Sequence, residues 1–507
     1  MVTAAVIGGG ASGAITVDTL RKQGIETTVF ERRDILGGVW VYDSDPGPLT
    51  VVPGRTGEQS DLVSNTPDFE GIEPGESINT SPGEYNRQTF ENPHRYEPTP
   101  TFESLSTNVP ERVMTYSDKP KWDWKENGVY TYPLQTRFVH HSTIQRYIEQ
   151  YFQPNIDVVK FSTTVEKASK TKDGKWTLTT RTRSATEDVW TQTKYDHLVV
   201  ATGHYHVPFI PDVPGIQLAY RLYPNRIVHS KHFRESNLDL FKDKTVVIVG
   251  SRASGADLVS LLAPIAHQTI QSVRATKGPI FKKSFVNQDK VVRAGEVVSY
   301  VCKDGGFNVE TADGQSFSPD VVIYCTGYQY SYPFLRDQVP DLTDGVFLPD
   351  VYLHTFYTPD PSLAFVGVPV DAVSFRAFEY QAVWVARYIS GQIELPSVDE
   401  QQLWNKRRFE ERGSTRSYHS LSSLEAVQDF FDALTELGGG VKAQKKGGRD
   451  FPVFGRQDID ELKAAAPARW VEEPNKEAAE EESETSELDT GDSEGHTDDT
   501  SVDGDEK

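Results

Sequence analysis

Near its start the chain carries Gly8-Gly9-Gly10-Ala11-Ser12-Gly13. This fits G-x-G-x-x-G, the spacing of a strand-to-helix turn that wraps a pyrophosphate. Gly8 permits the tight turn, Gly10 lets backbone approach a phosphate, and Gly13 lets helix and strand pack closely. Ala11 and Ser12 open the helix, whose free N–H groups and positive dipole end face the anion. Glu31 stands about twenty residues on, at the end of the next strand-like run, placed to bond a ribose hydroxyl. A ligand-free glycine turn would account for the glycines. It would not account for the strand before, the helix after and the acid in step with both.

A second strand, turn and helix start runs from Val246 to Gly255, with Gly250, Ser251, Arg252, Ser254 and Gly255 at the turn. Its middle position is Arg252 where the fingerprint has glycine. An arginine there can pair with a phosphate. Arg274 ends the following strand-like segment, at the place that Glu31 holds in the first unit. A base in place of that acid suits the 2′-phosphate of NADPH, which a carboxylate would repel; the plainer alternative is a solvated surface residue. Two unlike dinucleotide sites imply hydride passage from a nicotinamide to a flavin, which then does the harder chemistry. Gly37-Gly38-Val39-Trp40 would let the chain pass close to that flavin, with Trp40 covering it or packing in the core.

The elements that must position these residues alternate helix and strand from the first residue, so an α/β class is expected, with two Rossmann-like dinucleotide-binding domains. On this reading residues 1–215 are expected to form the first part of an FAD-binding domain, 216–330 an NADPH-binding domain, 331–470 the rest of the first domain with a C-terminal arm, and 471–507 a tail. The stretch 44–100 is rich in Pro, Gly, Ser, Asn and Asp and reads as a long irregular insertion. Lys175–Leu178 and Val189–Thr193 read as a hairpin. The chain has 507 residues and a formal net charge of -22, but its last 37 hold sixteen acids against two lysines, so the body is only mildly acidic. That tail is Ser/Thr-rich and nearly free of aromatics, and disorder is expected. Acidity argues against a nucleic-acid partner. Two cysteines, Cys302 and Cys325, allow neither a CxxC redox pair nor a zinc site, and fit a reducing compartment. No apolar run spans a membrane and no basic leader precedes the first strand, so a cytoplasmic protein is expected. A homodimer stays open.

The segment His229-Ser230-Lys231-His232-Phe233-Arg234 resembles the FxGxxxHxxx(F/Y)(K/R) signature of flavin-containing monooxygenases. His229, Phe233 and Arg234 match; Tyr223 and Asn225 stand for the signature's Phe and Gly. Baeyer–Villiger monooxygenases carry Trp where Phe233 stands. Leu105-Ser106-Thr107-Asn108 is similar to the family's LxTN segment, Ala201-Thr202-Gly203 to its ATG linker, and Cys325-Thr326-Gly327-Tyr328 to the second such crossover. Glu379-Tyr380-Gln381-Ala382 also looks family-like, and the insertion resembles that of fungal members. The resemblance covers about residues 1–400. It implies FAD and NADPH as cofactors, with a small-molecule substrate and dioxygen as partners. Reduced flavin would form a C4a-hydroperoxide that passes one oxygen atom to a soft nitrogen or sulfur, the other leaving as water. Asn108 would be the catalytic residue, positioning oxygen species near the flavin, with Gln381 near the ring. Thr107, Val165, Ser230, Thr326 and Gly327 would join the cofactor contacts, and His229 would have a structural or NADP-positioning role. Two other readings stay open: a Baeyer–Villiger or uncoupled NADPH oxidase, and a flavin-binding sensor or scaffold without turnover.

Overall fold

A computed structural model describes residues 1–47, 51–55, 65–73, 75–85, 98–122, 138–274, 280–281, 291–343, 345–443, 447–465 and 470–471. The acidic tail beyond 471, for which disorder is expected, lies outside the described residues.

Thr3–Ile7 is a strand because four consecutive small or branched apolar side chains, Ala4 to Ile7, are buried on both faces, the pattern of a central parallel strand. It pairs in parallel with Glu26–Phe30 on one side and His197–Val200 on the other. Ala11–Lys22 crosses between the first two, giving the expected βαβ unit. The sheet runs on through Val159–Lys160 at one edge and Leu363–Phe365 at the other, then through two short antiparallel strands, Val351–Tyr352 and Phe356–Tyr357. Strands drawn from residues 3–200 and from 351–365 thus share one seven-stranded sheet. Ser374–Ile389, the helix in most extensive contact with Ala11–Lys22, is buried along almost its whole length and closes this core.

The chain between builds a second sheet of five parallel strands in the order Ile227–His229, Val321–Tyr324, Thr245–Val249, Gln268–Ser272 and Val291–Ala294. A three-stranded antiparallel sheet, Val297–Lys303, Gly306–Thr311 and Ser316–Phe317, flanks it. The two large sheets are joined by two crossovers, which pair briefly as antiparallel strands at Val207–Pro208 and Tyr328–Gln329.

The expected hairpin is present and longer than the sequence suggests: Trp176–Arg183 pairs with Asp188–Tyr195, and Thr163–Lys170 extends it. The 44–100 insertion is not wholly irregular. Ser77–Thr80 adds a fourth strand to that meander, and the Trp190 indole N–H donates to Thr80 Oγ1 at 3.0 Å.

Candidate active site

Both glycine turns open into one cavity of about 2380 Å³. Pockets for one small ligand are on the order of 300–1,000 Å³, so this one has room for two dinucleotides and a substrate. It runs from the C-terminal strand ends of the first sheet, past both crossovers, to those of the second. In parallel α/β sheets ligands sit at that end.

In the first turn Gly8 holds φ +114° and its N–H donates to Phe30 O at 2.9 Å. A Cβ on Gly8 would lie 2.5 Å from Ala201 O, and one on Gly13 would lie 1.9 Å from Gly8 O, so neither position admits a side chain. Gly10 is the N-cap of Ala11–Lys22 and no side chain caps it, leaving the first-turn N–H groups open to an anion. Glu31 is buried at the cavity wall. Its Oε2 accepts from Gly9 N–H at 2.6 Å and its Oε1 from Arg33 N–H at 2.8 Å. Burial raises its pKa, and those N–H groups with the Arg32 and Arg33 charges oppose the rise. Each oxygen keeps a lone pair for a ribose hydroxyl. Gly38 (φ +56°), Val39, Trp40 and Val165 line the same end. Trp40 also packs against the main core. Bare backbone at Gly10, uncapped N–H groups and a buried carboxylate with spare lone pairs fit an ADP moiety such as that of FAD.

The second turn repeats the geometry. Gly250 holds φ +123°, its N–H donates to Ser272 O at 2.9 Å, and a Cβ on Gly255 would lie 2.3 Å from Gly250 O. Arg252 is the uncapped N-cap of Ala253–Leu262. Its side chain leaves the turn and pairs with Asp371. Arg274 is 80% exposed and bonds Glu296 at 2.8 Å. Ser251, Arg252, Ser254 and Arg274 all line the cavity. Uncapped N–H groups with two arginines suit a phosphorylated dinucleotide.

Ala201, Thr202, Gly203, Thr326 and Gly327 line the middle. The 229–234 signature lies behind them as a clamp. His229 Nε2 bonds Gly327 O at 3.1 Å while Nδ1 accepts from Lys231 N–H, and burial holds the ring far below its ordinary pKa, as a neutral group. Phe233 meets Phe102 edge-on, and the buried Arg234 donates to the carbonyls of Asp43, Thr99, Lys231 and Phe233. The structural role expected for His229 matches these contacts. Asn225 lies in the 3-10 turn Pro224–Arg226 and is absent from the positive-φ residues, so glycine is not needed there.

Asn108 sits in a bend, exposed to the cavity, with no side-chain hydrogen bond among the described residues. Its neighbour Thr107 is buried and accepts from Val139 N–H at 3.1 Å. Thr107, Ser230 and Gln381 do not line the cavity. Gln381 is fully buried, accepts from Gly367 N–H and donates to His354 O and Thr355 Oγ1, all at 2.9 Å. It braces Gly367, which does line the cavity, rather than facing a ring itself. Gly13 and Gly255 likewise act behind the wall, by close packing.

Three features escape sequence reading. Arg416, from the C-terminal arm, lines the middle of the cavity and donates to Thr326 O at 2.7 Å; burial draws its pKa down to about 10. His204 lines it too, with its ring against Tyr205 and Tyr330, and burial with the Arg416 charge pushes it down to about 4. Arg449 is the hub of a buried network. It donates to Asp18 at 2.9 Å, to Asp118 at 2.7 Å and to Glu379, whose other oxygen accepts from Ser117 N–H at 2.9 Å. Burial disfavours the Asp118 carboxylate, yet the Arg449 guanidinium wins and holds it far below the usual carboxylate range. These residues tie the C-terminal arm to the segment that carries Asn108.

A family model described as flavin-binding monooxygenase-like matches residues 88–287 and 306–446. One described as an NAD(P)-binding Rossmann-like domain matches residues 6–56. Flavin-containing monooxygenase ustF2 of Aspergillus flavus is 28% identical over 455 residues, covering 83% of this chain and 89% of that protein. Flavin-containing monooxygenase FMO GS-OX3 of Arabidopsis thaliana is 30% identical over 405 residues, covering 78% and 75%. Among solved structures, S-allyl-L-cysteine S-oxygenase from Allium sativum superposes with a TM-score of 0.69 at 24% identity, covering 96% of this chain and 98% of that one.

Proposed function

Because the chain belongs to the flavin-binding monooxygenase-like family, an FAD- and NADPH-dependent group of enzymes, we propose that it places one atom of dioxygen on a soft nitrogen or sulfur of a small molecule and releases the other as water. The observation that carries this reading is the single cavity shared by two unlike glycine turns, with an uncommitted amide, Asn108, on its wall.

In this reading residues 1–215 and 331–470 hold FAD and 216–330 hold NADPH. Bound FAD supplies hydride acceptance and the activation of dioxygen. The protein supplies position. Gly10 and the Ala11–Lys22 N-terminus hold a diphosphate, and Glu31 fixes the adenosine ribose. Arg274 reads the 2′-phosphate of NADPH, sharing its guanidinium with Glu296. Asn108 Nδ2 donates to oxygen species, and its Oδ1 accepts from them. Water is kept away by an apolar part of the lining, which includes Val109, Met114, Phe375 and Phe378. His229 takes no part in proton transfer, since both ring nitrogens are bonded to backbone.

The test is turnover of a thioether and of a tertiary amine under ¹⁸O-labelled dioxygen. One labelled oxygen in the product per NADPH consumed is expected. Peroxide in place of product with both acceptors would move the reading to an uncoupled oxidase, and a lactone or ester made from a ketone would move it to a Baeyer–Villiger enzyme.

A further inference from the structure

Among the described residues an ion pair spans the cavity from the second turn to the first sheet's side. Arg252 Nη1 bonds Asp371 Oδ1, 119 residues later, in the loop after Leu363–Phe365. Asp371 is held in place independently of that partner. Its Oδ2 accepts from Ser420 Oγ at 2.7 Å, and its backbone holds φ +59°, the left-handed region that Asp and Asn tolerate better than most residues. Both residues line the same cavity. The Arg252 side chain is 69% exposed and that of Asp371 is 21% exposed, so the carboxylate is the fixed partner and the guanidinium the movable one.

Arg252 occupies the position of the turn that faces a bound diphosphate. A guanidinium takes carboxylate and phosphate through the same planar fork, so one Arg252 cannot serve both fully. Arg416 feels the charges of Arg252 and Arg274, and the Tyr205 hydroxyl feels Asp371, Arg252 and Arg416. The nearby cavity carboxylate Glu296 is engaged by Arg274, and among the described residues the ion pair of Arg252 is with Asp371.

We infer that Asp371 is an internal competitor for Arg252: a nicotinamide dinucleotide must draw Arg252 away from this carboxylate to engage the second turn. Dinucleotide binding then exchanges a tie between the two sheets for a tie between protein and phosphate. Affinity is held down and release of the spent cofactor eased. Because the diphosphate is common to both cofactors, Asp371 acts equally on NADP⁺ and NAD⁺, whereas Arg274 separates them. The inference rests on the reading that the second turn takes the nicotinamide dinucleotide.

The test is equilibrium titration of the FAD-loaded protein with NADP⁺ and with NAD⁺, followed by perturbation of the flavin spectrum, with no turnover involved. Asp371→Asn keeps an acceptor for Ser420 and suits the backbone. It is expected to lower both dissociation constants by roughly two- to five-fold, the worth of a solvent-exposed ion pair. Asp371→Gly, which adopts positive φ freely, should do the same and serves if the Asn variant does not fold. Arg252→Ala alone should weaken binding, and in that background Asp371→Asn should change nothing. Equal tightening in both backgrounds would mean simple charge repulsion and would overturn the competitor role; so would no tightening by Asp371→Asn where Arg252 is intact. If Arg252→Ala itself leaves binding unchanged, the assignment of the second turn fails and the inference fails with it.

Discussion

The two glycine turns are near-copies in backbone and opposites in what covers them. Gly10 and Arg252 hold the same place with nearly the same dihedrals, φ -88° and ψ -166° against φ -79° and ψ -170°. Any residue can adopt that extended conformation, so neither turn needs glycine there for its backbone. A Cβ on Gly10 would meet the Gly38 Cα at 3.5 Å, and one on Gly38 would come within 2.9 Å of the Gly10 Cα. The Arg252 side chain departs toward Asp371. At the third position of the fingerprint the first turn keeps bare backbone beside Gly38, and the second carries a side chain that reaches across the cavity. The first and third glycines, which pack on backbone, are the ones the fold itself needs.

The largest expected effect comes from the covering network. Removing the Arg449 side chain takes one of two cations from the fully buried Glu379, which keeps Arg376, and one from the part-exposed Asp118, which keeps Lys22, so the loss stays at or below the about 3–5 kcal/mol of breaking a buried pair. Thermal unfolding of Arg449→Ala should show that loss together with reduced flavin content. An unchanged melting temperature would show that the C-terminal arm does not brace the first unit.

Next come the packing glycines. Gly13→Ala and Gly255→Ala each drive a methyl into a carbonyl, an overpacking worth about 1–3 kcal/mol or more. The comparison sharpens in the difference. Gly13→Ala should lose FAD, while Gly255→Ala should keep FAD and fail to be reduced by NADPH. Loss of FAD from both would mean that the two units fold as one.

A smaller effect separates the third positions. Gly10→Ala should fold, since the contact at 3.5 Å is ordinary, yet bind FAD less tightly because the methyl stands where the diphosphate approaches. Arg252→Gly should leave FAD content untouched. Flavin-to-protein ratios after dialysis decide this.

The mildest prediction concerns pH. His204 beside the first crossover and His229 behind the second are both buried and neutral, with pKa values drawn below the ordinary 6.5. His141, His354 and His419 are depressed likewise. A lowered folded-state pKa means that stability is complete above about 6.5 and is lost as pH falls toward the folded value, about 4 for His204. By pH 6 each group should cost on the order of 1 kcal/mol relative to pH 7.5. A flat unfolding free energy over that range would contradict neutral burial.

What the sequence made legible was local. Both turns, Glu31 and both Thr-Gly crossovers announce themselves by spacing within about thirty residues, because a strand, a turn and a helix impose their own pattern. Asp371, Ser420, Arg416 and Arg449 carry no such pattern. Their partners stand 49 to 431 residues away, as with Ser420 to Asp371 and Arg449 to Asp18, and only the folded chain brings them together. Thr107 and Gln381 show the reverse error. They were expected among the cofactor contacts, but their neighbours Asn108 and Gly367 line the cavity while they brace from behind. Asn108 follows Thr107 directly and Gly367 is the hydrogen-bond partner of Gln381 from 14 residues before it, and a motif does not say which member of such a pair looks inward. The 44–100 insertion hid the Ser77–Thr80 strand for a similar reason: its partner, Asp188–Tyr195, lies over a hundred residues on.

The central claim is that two unlike dinucleotide sites act in series through one cavity. It is tested most directly by the flavin absorbance of the purified protein, first under anaerobic NADPH and then on admission of air. The account predicts bleaching on NADPH, much weaker bleaching with NADH, and reoxidation by air through a transient species that persists until a thioether or amine is supplied. Flavin that stays oxidised under NADPH, with both cofactors shown to be bound, would contradict it.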